Sequence, residues 1–195
     1  MQTRRHFVGA SVVAAALVVA LSGCSTTGSA PATPEANASR KQSIDAAAEG
    51  TLSRLFSTVP GSRELVSKAR GVLVFPTVIQ AGVIVGGQHG DGVLRVGTTS
   101  SGYYSISSAS VGAQLGMQSK SMVYLFMTQE AFDKFRNANG WSVGADASVA
   151  VVKLGANGQV DTTTTTHPVE VFVMTNSGLM GDLSLSGTKI TRLDI

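Results

Sequence analysis

The chain holds one thiol. Cys24 closes the run Leu21-Ser22-Gly23-Cys24, behind the basic pair Arg4-Arg5 and an apolar stretch from Phe7 to Leu21. With no second cysteine there is no intramolecular disulfide to form. Other chemistry-bearing residues are sparse. His89 and Asp91 sit in the glycine string Gly86 to Gly92, and His167 lies far along the chain. These residues lack any metal-ligand spacing such as His-Glu-x-x-His, so no metal is predicted. The glycine string could expose backbone N–H groups to an anion. It lacks the Lys-Ser/Thr ending of a phosphate loop and no helical pattern follows it, so it reads as a hairpin turn. No Gly-x-Ser-x-Gly elbow is present, and the many serines read as strand and turn residues. Asp161, five threonines and His167 suit an extended segment without chemistry of their own. The expectation is a non-enzymatic protein with no cofactor.

The segment before Cys24 has the layout of a secretory leader. Its apolar stretch is fifteen residues long, short of the roughly 20 needed to span a bilayer. Leu21-Ser22-Gly23-Cys24 is similar to the lipobox of bacterial lipoproteins. That resemblance implies cleavage before Cys24, with diacylglycerol on its sulfur and usually a third acyl chain on its amine. Several chains anchor stably where one is marginal, because each buried methylene contributes about 0.8 kcal/mol. Thr3-Arg4-Arg5-His6-Phe7-Val8 also resembles the twin-arginine export motif, although general leaders start with basic pairs too. Ser25, rather than aspartate, follows the lipidated position and points to the outer membrane. The expected location is outer-membrane, lipid-anchored and facing the periplasm, with surface exposure left open.

Removing residues 1–23 from the 195 leaves 172, one domain's length. Lys+Arg falls from 15 to 13 against 12 acids, a net charge near +1. The basic isoelectric point therefore owes much to the leader, and no concentrated basic stripe argues for nucleic acid. The 22 glycines and few charges suit a β-rich domain with tight turns.

Residues 24–38 read as the lipidated cysteine and a flexible tether, small, polar and proline-containing. The folded domain is expected over 39–195. Ser39 with Gln42 fits a capping box. Ile44, Ala48, Leu52, Leu55, Phe56 and Val59 then form one apolar stripe at helical period, which Pro60-Gly61 ends. A second short helix covers Ser62 to Ala69. From Gly71 the pattern becomes strands. Gly71 to Pro76 is stopped by proline, and Gly82–Val85 and Gly92–Val96 are joined by the glycine-rich turn. Tyr103–Ile106 and Ser110–Met117 follow, and Met122–Met127 is apolar on both faces, as a central covered strand would be. Gln129–Asn137 is an inserted helix with Ala131, Phe132 and Phe135 inward. Ala147–Leu154, Val169–Met174 and Leu183–Arg192 complete the β segments, with Asn157-Gly158 as a turn. The fold class is α+β: a mostly antiparallel sheet or barrel-like core, N-terminal amphipathic helices and one short inserted helix.

The order of landmarks resembles the SYLF domain. Ser67-Lys68-Ala69-Arg70 runs into Gly71-Val-Leu-Val-Phe-Pro76. The glycine string through Gly92, Ser110 to Gly116, the strand through Met127, Gly144 to Ser148 and Gly178 to Leu185 follow in order. The resemblance covers roughly residues 40–195. It implies a lipid-binding module, toward phosphoinositides or other anionic lipids, in which an amphipathic N-terminal helix takes part. The candidate lipid-binding residues are then Leu52, Leu55 and Phe56 on the apolar side, with Arg40, Lys41, Arg54, Arg63, Lys68 and Arg70 for anionic head groups. The favoured reading of the same stripe is that it packs on the sheet, as in most amphipathic helices of globular domains. Tyr103, Tyr104, Tyr124 and Trp141 could line a lipid groove or fill the core. The expected partner is membrane phospholipid, anionic by preference, and not nucleic acid. The alternative is a non-catalytic envelope module that contacts protein or cell wall without a lipid site.

Overall fold

The computed structural model describes residues 33–82, 85–111, 116–154, 159–160, 167–181, 185 and 187–195. All lie in one compact unit, Ala32–Ile195. Cys24 and its leader lie outside the described residues, as do the Asn157-Gly158 turn, Asp161 and the whole threonine run.

Helix α1 spans Pro34–Thr58, so its 25 residues run about 37 Å. It starts five residues ahead of Ser39. Thr33 is the N-cap and accepts a hydrogen bond from the Ala36 N–H at 3.2 Å. Pro34 occupies the first turn, where its missing N–H has no helical partner to lose, and Glu35 meets the positive helix end. The proline that suggested a tether therefore begins the helix. Helix α2 follows over Ser62–Lys68.

The strands are β1 Gly71–Gly82, β2 Val85–Val96, β3 Thr99–Val111 and β4 Gly116–Phe126. Helix α3, Gln129–Asn137, separates them from β5 Trp141–Ser142, β6 Val149–Val151, β7 Val169–Thr175, β8 Gly178–Leu179 and β9 Lys189–Arg192. They form one curled, half-barrel sheet in the order β5-β9-β3-β2-β1-β4-β7-β6, with β8 added on β7. Every pairing is antiparallel except β6 with β7. The fold is α+β, as the sequence pattern predicts.

The first four strands are longer than the sequence pattern suggests. Strand β1 continues through Pro76, and its register shifts against both neighbours there, between Val74 and Ile79 on β2 and between Phe75 and Val78 on β4. Proline has no N–H for the ladder, and a bulge accommodates that loss. The glycine string is not a turn: Gly86 to Gly92 is strand, paired to β3 throughout. A Cβ at Gly90 would collide with Thr77 O, and one at Gly92 with Val74 O and the Phe75 ring. These glycines let the β1 bulge press against β2.

The sheet is buried on both faces. On its outer face α1 and α2 bring Ile44, Ala48, Leu52, Leu55, Val59 and Leu65 onto Val72, Val74, Val93, Val123, Leu125 and Phe172. The concave face encloses an aromatic cluster of Phe75, Tyr104, Tyr124, Phe126, Phe132, Phe135 and Trp141. Strand β4 lies between β1 and β7 and is buried from Ser121 to Phe126, as its two-sided apolar pattern requires. Helix α3 turns Ala131, Phe132 and Phe135 inward, also as predicted. Tyr104, Tyr124 and Trp141 are core residues.

Two consequences can be measured. Gly50 lies within α1, and an added Cβ there meets nothing within 4 Å, so Gly50→Ala should stabilise by about 0.5–1 kcal/mol. Gly92→Ala should destabilise by about 1–3 kcal/mol through overpacking; urea unfolding of both variants tests the contrast. Glu170 on β7 is 7% exposed, and burial raises its carboxyl above the usual 4.5, with His167 opposing weakly. The native state therefore holds this proton more tightly than the unfolded chain, and stability falls as pH rises from the unfolded value toward the raised folded one. Glu170→Gln should raise the urea midpoint at neutral pH, with the gain vanishing near about pH 4.

Candidate lipid-facing site

Polar side chains fasten α1 to successive strands. Arg40 pairs with Asp91 of β2 at 2.6 Å. Asp45 accepts from the Tyr103 hydroxyl and the Ser100 hydroxyl of β3, each at 2.8 Å. Burial and then the Asp45 hydrogen bond push the Tyr103 phenol up to about 12. Glu49 pairs with Arg95, and Arg54 donates to Ser121 Oγ of β4 at 2.8 Å. Ser121 in turn donates to the Pro76 carbonyl at 2.8 Å. The last link ties the helix to the bulge.

The structure divides the sequence-predicted lipid residues into groups. Leu52 and Leu55 are 8% and 0% exposed and pack on the sheet. Phe56 is half-buried, with the Arg63 guanidinium stacked 4.2 Å from its ring centroid. Lys41 lies over the Tyr103 ring at 5.8 Å. Lys68 is paired with Glu64 one turn away. Arg70 is exposed, and its backbone N–H donates to Phe126 O. The cations are thus spread along α1, α2 and the link into β1 rather than gathered in one patch, and the apolar stripe is core.

Two cavities flank the bulge, both touching Pro76 and Thr77. One, of about 340 Å³, is an apolar groove between the first half of α1 and the sheet, lined by Ile44, Ala47, Ile79, His89 and Asp91 among others. The second, of about 180 Å³, is polar, with Arg54, Ser119, Lys120, Ser121, Thr175 and Asn176 around it. Ile79 is 48% exposed at the groove, and Met117 on the neighbouring strand is 76% exposed. Ile79 pairs with Ser119, two residues from Met117, so both apolar side chains share the outer face of the sheet. Sequence reasoning missed Ile79, Met117, Ser119 and Lys120. The departure of strand β4 from its apolar run at Lys120 was the available signal. A third cavity, of about 310 Å³, lies elsewhere, between α3, Trp141 and Pro168. Among the described residues no three of His, Cys, Asp or Glu gather as metal ligands.

With this geometry in place, comparison with known families is informative. Residues 107–194 match the family described as Ysc84, Las17-binding protein actin regulator. That match is consistent with a SYLF-domain protein. No curated protein matches it. The match covers the sheet from late β3 to β9 and leaves out the stretch from α1 through β2, where every sequence-predicted lipid residue of the domain lies.

The burial of α1 makes a test. Leu55→Asp places a charge at a fully buried position among apolar side chains, at a cost of several kcal/mol, and should abolish cooperative unfolding. Phe56→Ala, at the half-exposed position, should leave a folded domain whose thermal midpoint moves by a few degrees.

Proposed function

We propose that this protein is a membrane-tethered, non-enzymatic lipoprotein whose SYLF domain binds lipid, with anionic phospholipid head groups as its preferred partner. Acylated Cys24 is the anchor, in the outer membrane and facing the periplasm. The observation that supports lipid contact is the apolar outer face at the groove. Exposed Ile79 lies beside the first half of α1, which also carries Arg40 and Lys41, and exposed Met117 shares its face of the sheet, two residues from its partner Ser119. The anchor's chain enters the domain at that same end of α1, so tether and apolar face arrive together. Bilayer contact here leaves the buried stripe of α1 in place.

The matched family's description, a Las17-binding protein, supports a second reading, in which this surface receives a protein. Flotation separates the two. Both cores lie within Ala32–Ile195, so that segment serves as the folded, anchor-free domain. It should float with phosphatidylglycerol-rich and cardiolipin-rich vesicles at low salt, less so at high salt, and not with neutral ones. Ile79→Asp with Met117→Asp should abolish flotation without lowering the thermal midpoint. A wild-type segment that stays in the soluble fraction on all vesicles overturns the lipid reading in favour of a protein partner. In cells, Cys24→Ser in the full chain should release it from the membrane fraction.

A further inference from the structure

The polar pocket beside the bulge has a use that the apolar face does not explain. Arg54 comes from α1, Thr77 from the bulge, Ser119 and Ser121 from β4, and Asn176 from the β7–β8 turn. Among the described residues no aspartate or glutamate lines it. Arg40, Lys68, Arg95 and Lys134 are each paired with a carboxylate. Arg54 is different: its one partner among the described residues is the neutral Ser121 hydroxyl. That hydroxyl spends its own proton on Pro76 O, so it orients the guanidinium and leaves most of its donors unused. Thr77, Ser119 and Asn176 make no side-chain hydrogen bond among the described residues, which leaves their donors available too.

Lys120 adds nothing to this set: Ser119 and Ser121 share the outer face with Arg54, while Lys120 between them points to the other face, where its ammonium donates to Gln80 Oε1 at 3.0 Å. A guanidinium fork surrounded by hydroxyl and amide donors, with no competing carboxylate, is the donor set that suits a tetrahedral oxyanion.

We propose that this pocket binds a phosphate-class oxyanion, with Arg54 as its principal contact. A water-soluble phosphate ester and a phospholipid head group present the same chemistry. The site therefore goes beyond the lipid reading and stands whether or not the domain meets a bilayer.

The test is a two-dimensional amide NMR titration of Ala32–Ile195 with inorganic phosphate and with glycerol 3-phosphate. The amides of Thr77, Ser119, Ser121 and Asn176 should shift together and saturate. Arg54→Gln should weaken binding at least tenfold, and Arg54→Lys by less. Arg136→Gln, whose side chain lies over Phe132 on α3, should leave it unchanged. Asn176→Asp, which adds a negative charge at an exposed turn, should also weaken binding and serves if Arg54→Gln does not fold. Flotation on phosphatidylglycerol vesicles then identifies the source. Loss of flotation in Arg54→Gln assigns the pocket to a head group; unchanged flotation with lost phosphate binding assigns it to a free ester. The absence of saturable shifts with either phosphate compound overturns the proposal, as does equal binding by Arg54→Gln and wild type.

Discussion

Pro76 interrupts a strand that needs to hydrogen-bond on both sides. Strand β1 lies between β2 and β4, and a proline there removes a ladder donor that no neighbour can replace. The chain keeps the strand by bulging it, with register shifts toward both neighbours at the same place. Two sets of residues make the bulge tolerable. Gly90 and Gly92 leave room for the displaced backbone on the β2 side. Ser121 supplies a hydroxyl to the Pro76 carbonyl on the β4 side. Because Ser121 also receives Arg54, the bulge fixes where the second half of α1 sits. Both the apolar groove and the polar pocket open against Pro76 and Thr77. The irregularity in one strand thus creates the surface relief on which the functional readings rest.

The placement of α1 decides between two ways in which a SYLF domain could meet lipid. A helix that inserts must first leave the sheet, exposing Ile44, Leu52 and Leu55. Each of these side chains contributes about 1.5–3 kcal/mol by its burial. Leaving would also expose the apolar outer face of β1 and β4 and break the Asp45–Tyr103 and Arg54–Ser121 links. The sum approaches the whole stability of an ordinary domain, about 5–15 kcal/mol. Contact through residues that are already exposed carries no such penalty. The physical argument therefore favours Ile79 and Met117 over the helical stripe as the apolar contact.

Much of the architecture was legible in the sequence because its signals were local and periodic. The stripe from Ile44 to Val59, the two-sided run from Met122 and the inward face of α3 each needed only spacing and polarity. What escaped was set by tertiary contact. Glycines 86 to 92 carry a turn-like composition, yet they are strand because the β1 bulge requires backbone without Cβ at 90 and 92. Pro76 resembles a strand end, and only the two flanking strands make its continuation possible. The Ser39–Gln42 capping pattern lost to Thr33-Pro34-Glu35, whose cap, ring and charge act together. The candidate site was half legible. Helical periodicity identifies an apolar stripe but not which medium covers it, and the strand residues beside it become neighbours only through the register of β1 with β4.

The tether changes what affinity such a surface needs. Under the proposed anchoring, nine residues, and so ten residue-to-residue steps, separate Cys24 from the first residue of α1. Fully extended, they reach at most about 33–36 Å. A domain confined to that distance from a bilayer meets its lipids at an effective concentration set by the linker rather than by the bulk, in the millimolar range for short flexible linkers. A weak surface is then sufficient. Two exposed apolar side chains and a few unpaired cations would hold a free domain poorly, but they can orient one that is already tethered. Under that proposal a near-neutral net charge and a modest apolar patch are enough: the anchor would supply residence at the membrane, and the face beside the β1 bulge would set which side of the domain turns toward it.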